Sequence, residues 1–158
     1  MGKLIAIVVA FGVLIGLALP TGKPIAAPAT ATGAAKEVVL TRGSTGHFFT
    51  DATINDRGSV EFMVDTGASF VALTVEDARR LGVDIDPANF DVIAEGASGP
   101  VRGEIVTLKS VEVGGIRAEN VRAMVLEGSR LSLLGQSFLA RVDQVNMAGD
   151  YLSLHDAG

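Results

Sequence analysis

The chain has 158 residues, with 13 Lys and Arg against 18 Asp and Glu, two His, no Cys and no Trp, a length that allows one folded domain at most. Counted from Lys36 onward the balance is 11 basic to 18 acidic residues, a net charge of −7, which excludes nucleic acid as the partner because phosphate binding needs a basic footprint. A chain without cysteine has no disulfide framework, no Cys-ligated zinc and no thiol nucleophile. His47 and His155 are too few for a His-built metal site, so neither a metal nor another cofactor is expected.

Much of the apolar content sits at the N-terminus. After Lys3, nineteen residues (4–22) carry no charge, enough at about 1.5 Å per helical residue to cross a bilayer core of about 30 Å. Residues 1–22 therefore read as a membrane anchor or a signal segment, and either sends the rest of the chain out of the cytoplasm. Ala18-Leu19-Pro20 supplies a poor cleavage pattern, which favours the uncleaved, single-pass anchor over cleavage and release. Lys3 favours an inside N-terminus. Residues 23–35 are rich in Pro, Ala and Thr with little to bury, and read as a linker. The folded domain is expected over 36–158.

From there the pattern is one of short strands and glycine turns. Runs 47–54 and 59–64 flank Asn55-Asp56-Arg57-Gly58, which is hairpin-turn chemistry. Thr74-Val75-Glu76-Asp77 opens a short helix as a capping box, and Gly82 stops it after Leu81; its charges are expected on a solvated face. Runs 106–113 and 116–126 form a second hairpin around Gly114-Gly115, and 144–147 with 151–154 a last one around Ala148-Gly149-Asp150. Two of these hairpins share a plan: hairpin turn, apolar strand, glycine-containing loop, short helix. That is an internal repeat of architecture rather than of residues.

One motif carries chemistry. Phe62-Met63-Val64-Asp65-Thr66-Gly67-Ala68-Ser69 puts a carboxylate at the end of an apolar strand, where an unpaired charge is costly to desolvate. Gly67 permits a tight turn that offers N–H groups to the carboxylate, and Thr66 and Ser69 bring hydroxyls. An aspartate so held is poised to bind water. By itself Asp-Thr-Gly is also a common β-turn. The apolar strand before it, Ala68-Ser69 after it, and the later Leu133-Leu134-Gly135 in the second half of the repeat strengthen the catalytic reading.

The segment FMVDTGAS together with SLLGQSFL resembles the retropepsin-like aspartic proteases, over roughly residues 45–154, and the anchor plus linker resembles the membrane-anchored periplasmic members of proteobacteria. The resemblance implies an all-β fold, a closed antiparallel β-barrel that is half of a homodimeric protease, with one or two short helices. It implies Asp65 as the catalytic aspartate and Thr66, Gly67, Ala68 and Ser69 as its loop. Leu133, Leu134 and Gly135 would buttress that loop. It places a substrate-binding flap over 94–103, with Gly96, Ala97, Ser98 and Gly99 at its tip. Gly96, Gly99 and Gly103 are expected to make the flap mobile. The implied location is the bacterial inner membrane with the domain in the periplasm.

The implied activity is that of an aspartic endopeptidase. Two Asp65 carboxylates, one from each chain, would share a proton and activate the attacking water. Asp156-Ala157-Gly158 lacks the hydroxyl and lies at the C-terminus, so one chain holds one motif and a symmetric homodimer is required. The expected partners are a second copy, a protein or peptide substrate, and the membrane. A Gly-x-Ser-x-Gly elbow is missing from the sequence, and His47 with Ser98 makes a poor nucleophile and base because no third group orients them. The alternative from another class is a non-catalytic, membrane-tethered module of the same fold that binds peptides or dimerises.

Overall fold

The computed structural model describes residues 34–96 and 99–158; the expected anchor or signal segment 1–22, nearly all of the expected linker, and Ala97 and Ser98 of the expected flap lie outside them. In chain order the elements are β1 (Lys36–Thr41), β2 (Phe49–Ile54), β3 (Gly58–Val64), β4 (Val71–Thr74), α1 (Val75–Arg80), a 3₁₀ turn (Pro87–Asn89), β5 (Asp91–Gly96), β6 (Gly99–Val113), β7 (Ile116–Leu126), β8 (Ser132–Leu134), α2 (Gln136–Leu139), β9 (Gln144–Ala148) and β10 (Tyr151–Asp156).

The hairpins form where the turns demand left-handed backbone. Asn55 and Asp56 have φ of 54° and 57°, and Gly114 and Gly115 have 54° and 88°, the successive positive φ values that match strand twist in a tight hairpin turn. Alternation then sorts the faces: Ala52, Ile54, Val60 and Phe62 are buried while Asp51, Ser59 and Glu61 between them are exposed, as a half-buried strand requires. Strand β6 runs in register with β7 from Gly103↔Leu126 to Val113↔Ile116.

Neighbouring strands follow the order β2-β3-β8-β4-β7-β6, and β6 pairs back with β2 at Thr53↔Glu112 and Ile54↔Val111. The six strands close a barrel, which removes sheet edges. Exchanging β2 with β6, β3 with β7 and β4 with β8 reproduces this ring in reverse, so the expected internal repeat is a pseudo-two-fold of the barrel. The halves exchange strands: β3 runs parallel to β8, and β4 parallel to β7. Phe62, Leu73, Leu108, Leu134 and Phe138 fill the centre with no exposed surface. A separate three-stranded sheet, β1-β10-β9, adds fully buried Leu152 and Leu154 to the same core.

Two expectations change. Gly103 does not serve mobility: a Cβ there would stand 2.2 Å from the Val125 carbonyl oxygen, so glycine is needed for close backbone approach. Asp77 does not join a solvated face. Its carboxylate accepts from the Thr74 hydroxyl (3.0 Å), the Ser132 hydroxyl (2.7 Å) and Arg80 (2.8 Å), and Ser132 Oγ also accepts the Thr74 N–H at 3.2 Å. The cap of α1 thereby bolts β8 to β4 across the pseudo-two-fold.

Burial pushes the Asp77 carboxyl up, but the hydrogen bonds from Arg80, Ser132 and Thr74 outweigh it and hold the group below the ordinary carboxylate range. A depressed folded-state value gives stability that is full above the unfolded value, about pH 4, and is lost as pH falls through the folded one. Asp77→Asn is expected to cost about 1–3 kcal/mol at pH 7 and to flatten the loss of stability below about pH 4. Urea unfolding of both proteins over that range checks it. An unchanged slope would show that Asp77 does not link the halves.

Candidate active site

Strand β3 delivers Asp65 to the point where the two halves of the barrel cross. Its backbone N–H donates to the Leu134 carbonyl at 3.1 Å, continuing the β3–β8 pairing of Met63↔Leu133 and Val64↔Leu134 by one residue. The chain then turns: the Ala68 N–H returns to the Asp65 carbonyl at 3.2 Å, and the Gly67 N–H donates to Asp65 Oδ1 at 2.9 Å. Asp65 itself is half-buried, with Thr66, Gly67 and Ser69 exposed around it. Among the described residues, the Gly67 N–H makes the one hydrogen bond that its carboxylate accepts. The group keeps acceptor capacity toward the open side of the loop, where water or a second acid can meet it.

Behind the loop stands the start of α2, whose first N–H groups have no intrahelical partner. Gly135 offers no side-chain cap there. The Asp65 loop does the capping: the Gln136 N–H donates to the Ala68 carbonyl at 2.8 Å and the Ser137 N–H to the Ser69 carbonyl at 3.0 Å. Ser137 Oγ accepts from the Val71 N–H at 2.8 Å, and the Gln136 side-chain amide donates to the Thr66 carbonyl at 2.8 Å. Such an approach of two backbones leaves no room for a side chain. A Cβ on Gly135 would lie 2.2 Å from the Phe70 carbonyl oxygen and 2.7 Å from that of Ala68.

The structure thus brings Asp65, Thr66, Gly67, Ala68 and Ser69 together with Leu133, Leu134 and Gly135. Gly96 and Gly99 face each other at the end of the β5–β6 hairpin; Gly99 has a φ of +112° with open space around its Cβ direction, a backbone that glycine alone adopts easily. Arg102 anchors the base of that hairpin, donating to the Phe90 carbonyl at 2.7 Å and pairing with Glu127 at 3.3 Å. The sequence reading missed Gln136 and Ser137, which follow the Leu-Leu-Gly element directly and carry donors and acceptors. A surface recess of about 760 Å³ beside α1, bordered by Glu76, Asp77, Arg79 and Arg130, includes no residue of the Asp65 loop. Asp77 there is already committed to the helix cap, so the recess offers no poised group comparable to Asp65. Groups of His, Asp and Glu able to hold a metal do not occur among the described residues.

Gly135→Ala is expected to destabilise the protein by about 2–3 kcal/mol or more, because the added methyl must displace two carbonyls of the Asp65 loop. The midpoint of urea unfolding measures it, and a parental midpoint would show that the loop can retreat without cost.

A family model described as "gag-polyprotein putative aspartyl protease" matches residues 50–141. An uncharacterized protein of the cobV 5′ region in Sinorhizobium sp is 40% identical over 123 residues, which are 77% of this chain and 52% of that protein. An uncharacterized protein of Rickettsia prowazekii (strain Madrid E) is 36% identical over 120 residues, 75% of this chain and 51% of that one. The chain spans about half the length of these curated relatives. Among solved structures, a retropepsin-like aspartic protease from Rickettsia conorii superposes with a TM-score of 0.64 at 34% identity, covering 77% of this chain and 91% of that one. The EIAV protease in complex with an inhibitor gives 0.51 at 21% identity over 65% of this chain and 93% of its own, a likeness of fold alone. With the matched segment taking in more than half of the chain and the barrel built on the same plan, the chain belongs to the aspartyl protease family, and its fold is retropepsin-like.

Proposed function

We propose that the protein is an aspartic endopeptidase that works as a symmetric homodimer, with Asp65 of each chain forming the catalytic pair. The observation that carries this reading is the half-buried Asp65 carboxylate, fixed by its own loop through the Gly67 N–H at 2.9 Å and left with acceptor capacity on the open side. The printed description of the Rickettsia conorii relative as a retropepsin-like aspartic protease supports the same chemistry. One carboxylate on one chain supplies either an acid or a base. Hydrolysis of a peptide bond through activated water needs both at once.

Two carboxylates a few ångströms apart cannot both ionise cheaply, so the pair holds one proton between them. The ionised member removes a proton from the water as it attacks the peptide carbonyl. The protonated member donates to the carbonyl oxygen, and proton return to the nitrogen lets the amine leave. In this reading the β5–β6 hairpin, with Gly96 and Gly99 near its end, is the flap that covers an extended peptide and opens for product release. Residues 1–22 anchor the chain in the inner membrane with the protease domain, 36–158, in the periplasm, and tethering raises the local concentration that pairing needs.

Asp65→Asn is expected to leave the fold intact, as read by circular dichroism, and to lower peptide cleavage by at least about 10³-fold. Retained cleavage would remove Asp65 from the mechanism. Specific activity should fall on dilution in step with loss of dimer by sedimentation, and activity should decline toward alkaline pH as the shared proton is lost. An active monomer, or a profile rising steadily into the alkaline range, contradicts the composite site.

A further inference from the structure

The Asp65 carboxylate is held by a peptide unit that is itself held from the other side. The Gly67 N–H that donates to Asp65 Oδ1 at 2.9 Å and the Thr66 carbonyl that accepts from the Gln136 side-chain amide at 2.8 Å belong to one and the same peptide group. That group is planar, with C=O and N–H directed oppositely. Fixing the oxygen therefore fixes where the hydrogen points. We infer that Gln136 is a positioning residue for the reaction: it acts through the Thr66–Gly67 peptide to aim an N–H at the catalytic carboxylate. The inference rests on the proposed role of Asp65.

The need for such a clamp follows from glycine. A peptide unit that precedes glycine can rotate about its flanking bonds at little steric cost, and a rotation that turned the Gly67 N–H away would leave Asp65 without that donor. Gln136 is well placed to prevent it. Its own backbone N–H already donates to the Ala68 carbonyl at 2.8 Å, so the residue is docked on the loop before its side chain acts. Both Thr66 and Gln136 are exposed in the single chain, and backbone docking helps the amide compete with water for the Thr66 oxygen. Donation to the carbonyl also polarises the peptide and strengthens the hydrogen bond at its far end. Ser137 is different. It binds the Val71 N–H through Oγ, stabilising the same loop–helix junction without touching the Thr66–Gly67 peptide.

The test is steady-state cleavage of a reporter peptide over pH by the full-length parent, Gln136→Met, Gln136→Lys, Ser137→Ala and Asp65→Asn. Gln136→Met keeps the length and removes the donor. It is expected to lower kcat by about tenfold with KM within about twofold, and to move the acid limb of the profile toward neutral pH by about half a unit, because a carboxylate that loses a donor binds its proton more readily. Gln136→Lys retains a donor to the Thr66 carbonyl but adds a cation, so at a protein concentration that keeps the dimer intact it should keep more of the parental kcat than Gln136→Met; its profile is not compared because of that charge. Ser137→Ala should lower the melting temperature by a few degrees and leave the acid limb in place. Parental kcat and acid limb in Gln136→Met would overturn the inference, as would equal losses in the Met and Lys variants or an equal shift of the limb in Ser137→Ala. If Gln136→Met does not fold, Gln136→Leu, which also removes the donor, is read in its place against the same expected loss of kcat and shift of the acid limb. Asp65→Asn separates the two levels: cleavage by that variant defeats the proposed function itself, whereas an inactive Asp65→Asn beside an unaffected Gln136→Met defeats only the role of Gln136.

Discussion

The structure depends on one crossing, where the loop after β3 passes over the start of α2. Parallel pairing of β3 with β8 and of β4 with β7 means that neither half of the repeat can complete its own sheet, so each half supplies the strand that closes the other. The two chain paths meet at residues 65–71 and 134–137. Backbone hydrogen bonds, joined by the Gln136 amide and the Ser137 hydroxyl, hold them at a distance that admits no Cβ on Gly135. A contact of that kind is stiff because it is short, and it is polar because each backbone supplies the partners that the other's N–H and C=O groups need. The position of the Asp65 carboxylate follows from this crossing, since Asp65 is the first residue beyond the strand that the crossing fixes.

What the sequence made legible was local. The turns at Asn55-Asp56 and Gly114-Gly115 announce hairpins because positive φ at two successive residues is rare outside turns, and the capping box at Thr74 announces α1 because its partners lie three residues apart. The repeat showed in the order of its parts, although its halves share almost no residues. Other features depend on partners far along the chain. Asp77 reads as a helix-surface charge until Ser132, in β8, reaches it. Strand β1 carries three apolar residues in six, too few to announce itself, and becomes a strand by pairing with β10 at the other end of the domain. Gly103 reads as a hinge in a glycine-rich stretch, but the Val125 carbonyl beside it gives the glycine a packing role. Gln136 was invisible for the same reason: its amide is an unremarkable surface group unless the Thr66 carbonyl is known to stand before it.

Charge is distributed so that the strong ion pairs sit away from the crossing. Arg117 in β7 meets both oxygens of Asp56 at 2.6 and 2.9 Å, Glu119 at 2.6 Å and Glu112 at 3.3 Å. Hydrogen bonding to Arg117 lowers the Asp56 carboxyl and raises the guanidinium. This cluster lies at the turn that opens β3, while Asp65 follows its far end, about 20 Å away at about 3.3 Å per residue. Exposed pairs of this kind add little stability in water. Their effect is geometric: they tie the turn of one half-repeat to the hairpin strands of the other. The loop around Asp65 uses peptide dipoles and a neutral amide instead, which orient a carboxylate without neutralising it.

On the proposed reading that choice has a consequence for assembly. A fixed cation beside Asp65 would hold it ionised, and two ionised carboxylates would then resist the approach of two chains that each carry a net −7 from Lys36 onward. A neutral donor opposes that proton less than a fixed cation would. A pair that meets with one proton between its members exchanges repulsion for a short hydrogen bond, so proton uptake and pairing favour each other by linkage. The same proton then serves as the general acid for the peptide carbonyl. A loop that orients Asp65 through the Gly67 N–H, with Gln136 holding the peptide behind it, thus joins three requirements in one construction: a carboxylate aimed at its partner, a proton admitted at the moment of assembly, and an acid and a base present together when the peptide arrives.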